Sequence, residues 1–298
     1  MTQPINFILM KTRSFIKMAV VCASIFFASC NRNERTENLM SKEEAQSSSK
    51  IDLASDDIGS IIEDQFNNID SNSFSFKNGE VALSACATIT RVPSFGTPLT
   101  PGTQVTKTID FGTGCTLSNN NVVSGKIIIS FTYQPTATSH TVNYSFVNFY
   151  HNNIKIEGDK SFTRTMTQAT ATSPSHPIVV MNMDLTATIN GQIHHRVGTR
   201  TREIIEGYGT PNIFYDNVYS IIGNWTTTHP TGVVTSTITT PLKAKMSCLN
   251  QNKPLLVQGI ITFTKNNNTA TLDYGNGECD NLAVYTVNGN SYNIVIGN

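Results

Sequence analysis

From about Val81 onward the chain alternates. Met181, Met183, Leu185, Ala187 and Ile189 are apolar, and Asn182, Asp184, Thr186, Thr188 and Asn190 between them are polar. A period of two sends the two sets to opposite sides of a pleated strand, which predicts antiparallel pairing with one buried and one wetted face. Val142, Tyr144 and Phe146 repeat the pattern less cleanly against Asn143, Ser145 and Val147. Asn190-Gly191 and Asn288-Gly289 predict two-residue hairpin turns, because both central residues there need positive φ. Asn119-Asn120-Asn121 and Asn266-Asn267-Asn268 mark longer turns. Roughly a dozen strands fit between residues 81 and 298, and no stretch after residue 80 carries a good helical period.

One helix is predicted, within residues 51–80. Ile58, Ile61, Ile62, Phe66 and Ile69 share a face, Ser55 is placed to cap it, and Asp56 and Asp57 complement the positive end of its dipole. Such a stripe packs against a core, so the helix is expected as a lid on the sheet. Ahead of it, residues 31–50 hold only Leu39, Met40 and Ala45 as appreciably apolar residues and include Ser47-Ser48-Ser49, the composition of a flexible tether.

The N-terminus reads as an address. Lys11, Arg13 and Lys17 precede the apolar run from Met18 to Ala28, which is shorter than the ~20 apolar residues needed to cross a bilayer. That is the layout of a secretory signal over residues 1–29, with Met1 or Met10 as its start. Phe27-Ala28-Ser29-Cys30 resembles a bacterial lipobox, with Phe27 where Leu is usual, and implies a lipidated Cys30 at the head of a 30–50 tether. Asn31 in place of an Asp favours the outer membrane, with the periplasmic or cell-surface face open. Several acyl chains on one residue anchor stably.

Charge changes the picture by exclusion. Lys and Arg number 21, Asp and Glu 21, and charged residues make up 14% of the chain, without a basic cluster of the kind nucleic-acid binding requires. Thr and Asn together supply nearly a quarter of the residues, which suits exposed strands and turns. Polar strand faces of Thr and Asn, and an N-terminal lipid, argue against a membrane-spanning barrel.

The segment Thr108-Ile-Asp-Phe-Gly-Thr-Gly-Cys115 recurs as Thr271-Leu-Asp-Tyr-Gly-Asn-Gly-Glu-Cys279, each with a second Cys upstream at nearly the same distance, Cys86 and Cys248. This predicts two related modules, about 81–134 and 243–298, around an intervening meander within one 81–298 domain. Four cysteines allow three pairings, export favours oxidation, and the duplication favours Cys86–Cys115 with Cys248–Cys279. In each copy Asp110 or Asp273 is placed to accept from the backbone N–H groups of a glycine turn. Asn276, Glu278 and Asp280 alternate as a cation site would, but Thr113, Cys115 and Leu117 stand in the first copy, so no shared metal role is expected.

The lipobox, polar tether, acidic helix, "TIDFGTGC", "SGKIII" and "LDYGNGECDNLAVYTVNG" together resemble a family of uncharacterised lipoproteins from flavobacteria and their relatives. The resemblance covers most of the chain after Cys30. It implies a compartment and an architecture and carries over no activity.

Candidate chemistry is thin. No nucleophile elbow, phosphate loop, dinucleotide fingerprint or His-Glu-x-x-His occurs. His194 and His195 are neighbours on a strand and point to opposite faces, so they are expected as an exposed pair beside a turn rather than as metal ligands. The most unusual loop runs from Glu206 to Tyr219, shortly before the single Trp225. There Glu203, Glu206, Tyr208, Tyr215 and Trp225 offer carboxylates and rings that could hold a glycan or peptide, or in a third reading hydrolyse a glycoside. The bland alternative is a loop whose aromatics fold back onto the sheet edge. Thr226-Thr227-Thr228 and Thr235, Thr237, Thr239 form a polar strand face, of a kind that can also order water or ice. The expectation is an all-β, mostly antiparallel extended sheet or sandwich with internal duplication and one short N-terminal helix. Its expected role is a non-enzymatic structural, adhesive or ligand-presenting outer-membrane lipoprotein without cofactor. A glycan or an envelope protein would be its partner besides the membrane.

Overall fold

The computed structural model describes residues 39–73, 86–117, 119–171, 173–210, 213 and 215–296. The segment expected as a signal, Cys30 and the first part of the expected tether lie outside the described residues, as do residues 74–85 of the lead-in to the sheet.

Among the described residues the fold is all-β with mostly antiparallel pairing and one α-helix. The strands are β1 (Thr88–Val92), β2 (Gln104–Asp110), the two-residue β3 (Cys115–Thr116), β4 (Val122–Thr132), β5 (Ser139–His151), β6 (Ile154–Met166) and β7 (Pro177–Ile189). They continue as β8 (Gln192–Glu206), β9 (Val218–His229), β10 (Gly232–Lys245), β11 (Leu256–Lys265), β12 (Asn268–Asn276), β13 (Leu282–Val287) and β14 (Asn290–Val295). All belong to a single sheet, β1-β2-β4 and then every strand in chain order to β14, with β3 paired to β4. One long meander stands where two facing sheets were the other option. Its inner positions are those the alternation marks: Met181, Met183, Leu185, Ala187 and Ile189 of β7 are all buried.

Asn190-Gly191 and Asn288-Gly289 take positive φ at both residues, as type I′ hairpins require. Asn266 and Asn267 do the same, so the β11–β12 connection is also a two-residue turn, tighter than the Asn run suggests.

The helix, α1 (Lys42–Asn67), departs from expectation. It starts inside the segment expected as tether. Ser41 is its N-cap, Ser41 Oγ accepting from Glu44 N at 3.1 Å while Glu44 Oε2 accepts from Ser41 N at 2.7 Å, a reciprocal capping box. Ser55 is thus interior, not a cap. Nor is α1 a lid. Contacts run along it from β13 at its start, where the Tyr285 hydroxyl donates to Met40 O, to β2 at its end. There Lys107 Nζ donates to the carbonyls of Gln65, Asn68 and Ser71 at 3.2, 2.9 and 3.1 Å. The sheet curls around a helix that crosses its strands, and of Lys42–Asn67 only Glu43, Lys50 and Asn67 are exposed. Polar residues such as Ser48 and Ser49 look like linker in the sequence, but their partners sit on the inner face of the sheet.

The duplicated motif is mechanical, as expected. Asp110 Oδ1 accepts from Gly112 N and Asp273 Oδ1 from Gly275 N, both at 2.9 Å. Cys86–Cys115 and Cys248–Cys279 are bonded, with Cα atoms 5.6 and 5.3 Å apart and sequence separations of 29 and 31. In both modules a cysteine ahead of a hairpin is tied to one just after its second strand. Cys248 sits in a short 3₁₀ helix, Met246–Gln251.

Candidate functional site

The five residues singled out around 203–225 do not converge. Trp225 lies on the inner face of β9, 1% exposed, with the guanidinium carbons of Arg200 and Arg196 at 4.2 and 5.1 Å from its ring centre. A solvent-facing aromatic for stacking on a sugar is therefore not available at that position. Expectation failed because strand parity is ambiguous where arginines, normally taken as exposed, occupy the inward positions. Glu203 Oε1 lies 2.9 Å from His176 Nε2, and Tyr208 stacks on that imidazole with ring centres 5.1 Å apart. The His176–Glu203 contact raises the histidine pKa, after the larger effect of its hydrogen bond to Pro174 O. Glu206 is exposed at the end of β8 and Tyr215 half-buried beyond it.

His194 and His195 also separate. His195 stays exposed, its Nε2 2.8 Å from Asp184 Oδ1. His194 is buried, against the expectation of an exposed pair, with its Nδ1 2.8 Å from that of His229. Alternation explains the split, because of two neighbours on a strand one must face inward.

The interior holds an ionic seam that sequence reasoning missed. Glu44, Ser48, Asp52 and Asp56 recur every four residues along one stripe of α1. Opposite them the sheet supplies Lys265, Nζ donating to Glu44 Oε1 at 2.8 Å, and Arg196, whose Nη2 donates to Ser48 Oγ at 2.8 Å. Arg196 and Arg200 both donate to Asp52 Oδ1, and Arg202 pairs with Glu63. Burial pushes Asp56 up to about 6, and it pushes Lys160, whose ammonium faces Ser55 Oγ at 3.3 Å, down to about 7. Buried pairs of this kind gain little net stability over a hydrophobic filling, but removing one partner strands a charge. Each pair joins one turn of α1 to one strand of the sheet. The readable signal was the spacing of Arg196, Arg200 and Arg202 at one parity of β8.

Asp57 has a different role. Its carboxylate accepts from Asn119 Nδ2 and Asn121 Nδ2, each at 2.8 Å, and lies 2.7 Å from His151 Nε2. His151 lines a small cleft of about 110 Å³ with Lys50, Asn152 and Asn190. Among the described residues no group of three His, Cys, Asp or Glu side chains is arranged to hold a metal.

The outer face is more ordered than any of these. Cross-strand register places Ser130 of β4 opposite Asn143 of β5, then Ser161 of β6, Asn182 of β7 and Thr199 of β8. The same row continues through Asn224, Thr237 and Thr262 to Thr271 of β12. Thr286 and Ser291 extend it to β14, and Thr106 of β2 precedes Ser130. One line of hydroxyl and amide side chains thus crosses twelve neighbouring strands, all exposed or half-buried and none charged. A second row beside it carries Ser145, Asp159 and Asp184, then Thr226, Thr235, Thr264 and Thr269 after Val197. Between the two rows, over β4–β7, the surface dips into an open groove of about 430 Å³. Comparison with family models, curated proteins and solved structures gives no match to this chain.

Proposed function

We propose that the chain is a lipid-anchored protein of the bacterial outer membrane whose β domain is non-enzymatic and presents its outer sheet face to a ligand or surface. The observation that carries this reading is the division of labour between the two faces. The inner face is filled along its length by α1 and its ionic partners, so the wide polar outer face is what remains to meet another molecule. The lipobox at Cys30 and two disulfides support an exported, tethered protein. The reading that uses the 206–225 region for glycan or peptide binding is weaker, since Trp225 is turned into the core and Glu203 is engaged by His176. A hydrolase using Glu203 and Glu206 is weaker for the same reason.

Membrane fractionation and protease shaving of whole cells test the anchor. The wild-type protein should stay with the outer membrane, and Cys30→Ala should be released into a soluble fraction. Retention of Cys30→Ala in the membrane would refute the anchor. Shaving of the wild type assigns the face: digestion in intact cells places the domain on the cell surface, and protection until the envelope is opened places it in the periplasm.

A further inference from the structure

We infer that the outer face is a binding track for a linear, uncharged polysaccharide lying across the strands along the Ser/Thr/Asn row, with one subsite in the groove over β4–β7. This rests on the ligand-presenting reading of the domain and names the ligand class.

The row supplies a repeat. Paired strands stand about 4.8 Å apart, so twelve strands offer hydrogen-bonding side chains at that interval over about 50 Å. A pyranose chain advances by a similar step per sugar and carries hydroxyls at each. Ser, Thr and Asn side chains both donate and accept, as sugar hydroxyls do. A polyanion would call for unpaired Lys and Arg along the row, but the row itself carries none, the outer-face Lys126 and Lys155 are paired with Asp110 and Glu157, and Arg196 and Arg200 are buried on the inner face. The track is thus matched to a neutral polyol.

The groove supplies a subsite. Its lining includes Ser130, Asn143, Ser161 and Asn182 from one row, Asp159 and Asp184 from the other, and the buried Lys160 between them. Asp159 and Asp184 face each other directly across β6 and β7, an arrangement that costs stability when both are charged. Asp159, and the Asp184 oxygen that His195 does not engage, are placed to accept hydrogen bonds from adjacent hydroxyls of one sugar. The sheet creates the depression by a break in the β5–β6 pairing between Ser145 and Phe149, opposite Gly158.

Curvature selects among ligands that like hydroxyl rows. A crystalline plane such as ice needs a flat sheet, whereas this one bends around α1 and carries the twist of paired strands. A polymer with rotatable linkages follows the bend. Contacts that are weak singly and repeated along the chain make affinity depend on polymer length.

The test is affinity electrophoresis of the intact, detergent-extracted protein through gels containing xylan, mannan, dextran or soluble β-glucan, with alginate and heparin as charged comparisons. At least one neutral polymer should retard it, and trisaccharides of the same sugar should compete at least tenfold more weakly than long chains. Asn143→Ala with Asn182→Ala should weaken retardation at least tenfold while leaving the unfolding midpoint unchanged, and Glu43→Gln on the exposed side of α1 should change neither. Absence of retardation by every neutral polymer, stronger retardation by alginate or heparin, or wild-type binding by the folded double variant would each overturn the track. Because the anchor is read by fractionation of Cys30→Ala, the track can fail while the anchored, ligand-presenting reading stands.

Discussion

His229 and Asp56 show how single buried groups set the pH behaviour of the interior. Burial lowers His229 to about 4 from the usual 6.5, and His194, Arg196 and Lys265 add to that effect against the opposing pull of Glu44. A histidine with a depressed folded pKa contributes stability that is complete above pH 6.5 and is lost as pH falls toward 4, because the unfolded chain takes the proton first. Asp56 has the opposite sign. Burial raises it to about 6 from 3.8, so the protonated form belongs to the fold, and its contribution is complete below pH 3.8 and lost as pH rises through 6. The two windows nearly coincide, and the effects offset. Asp56→Asn should therefore uncover the histidine, with stability falling between pH 6 and pH 4 by on the order of 2–3 kcal/mol more than in the wild type. His229→Phe should do the reverse and make the fold relatively firmer as pH drops across that range. Urea unfolding of the three proteins at pH 4, 5, 6 and 7 reads the slopes, and parallel curves for wild type and Asp56→Asn would refute the assignment.

At the scale of elements, the sheet bends because glycines interrupt its ladders. Gly125 sits at the register shift between Ser124 and Lys126 of β4, with φ +81°, and an added Cβ would meet the backbone oxygen of Asn148 at 2.0 Å. Its own N–H donates to Gly112 O at 3.1 Å and its carbonyl accepts from Phe111 N at 2.8 Å, so the bulge also seats the turn of the first duplicated motif. Gly125→Ala should cost about 3 kcal/mol or more, through positive φ and the backbone clash together. Urea denaturation checks it, and a loss below about 1 kcal/mol would mean the bulge relaxes freely.

The strands were legible because alternation is a local signal, as β7 shows, and so were the Asn-Gly turns. The helix start was not. Ser47, Ser48 and Ser49 look like linker unless Arg196, distant in sequence, is known to lie opposite, and Trp225 was misassigned for the same reason. The outer row escaped as well, since a single strand shows only its own Thr or Asn and the register that joins twelve of them exists only between strands.

The sheet is an open meander, with β1 and β14 at its opposite ends and unpaired with each other. Each strand is held chiefly by its neighbours, so the ends are where unfolding would begin, and those ends carry the disulfides. Cys86–Cys115 ties the approach to β1 to the short β3, and Cys248–Cys279 ties the segment before β11 to the one after β12. α1 spans the same interval, bonded to Tyr285 of β13 at one end and to Lys107 of β2 at the other, so fraying at either end also strips partners from the helix. Cross-linking loops of 29 and 31 residues lowers the entropy of the unfolded chain by an amount equivalent to about 3.5 kcal/mol each. The pair Cys248→Ala with Cys279→Ala should accordingly lower stability by about that much, and Cys86→Ala with Cys115→Ala by a similar amount. Reductant should shift the urea midpoint of the wild type by the combined effect and leave the variant lacking all four cysteines unmoved. If the reduced wild type instead unfolds at the same urea concentration as the oxidised protein, the ends are secured by strand pairing and α1 alone, and the duplicated cysteines stabilise nothing.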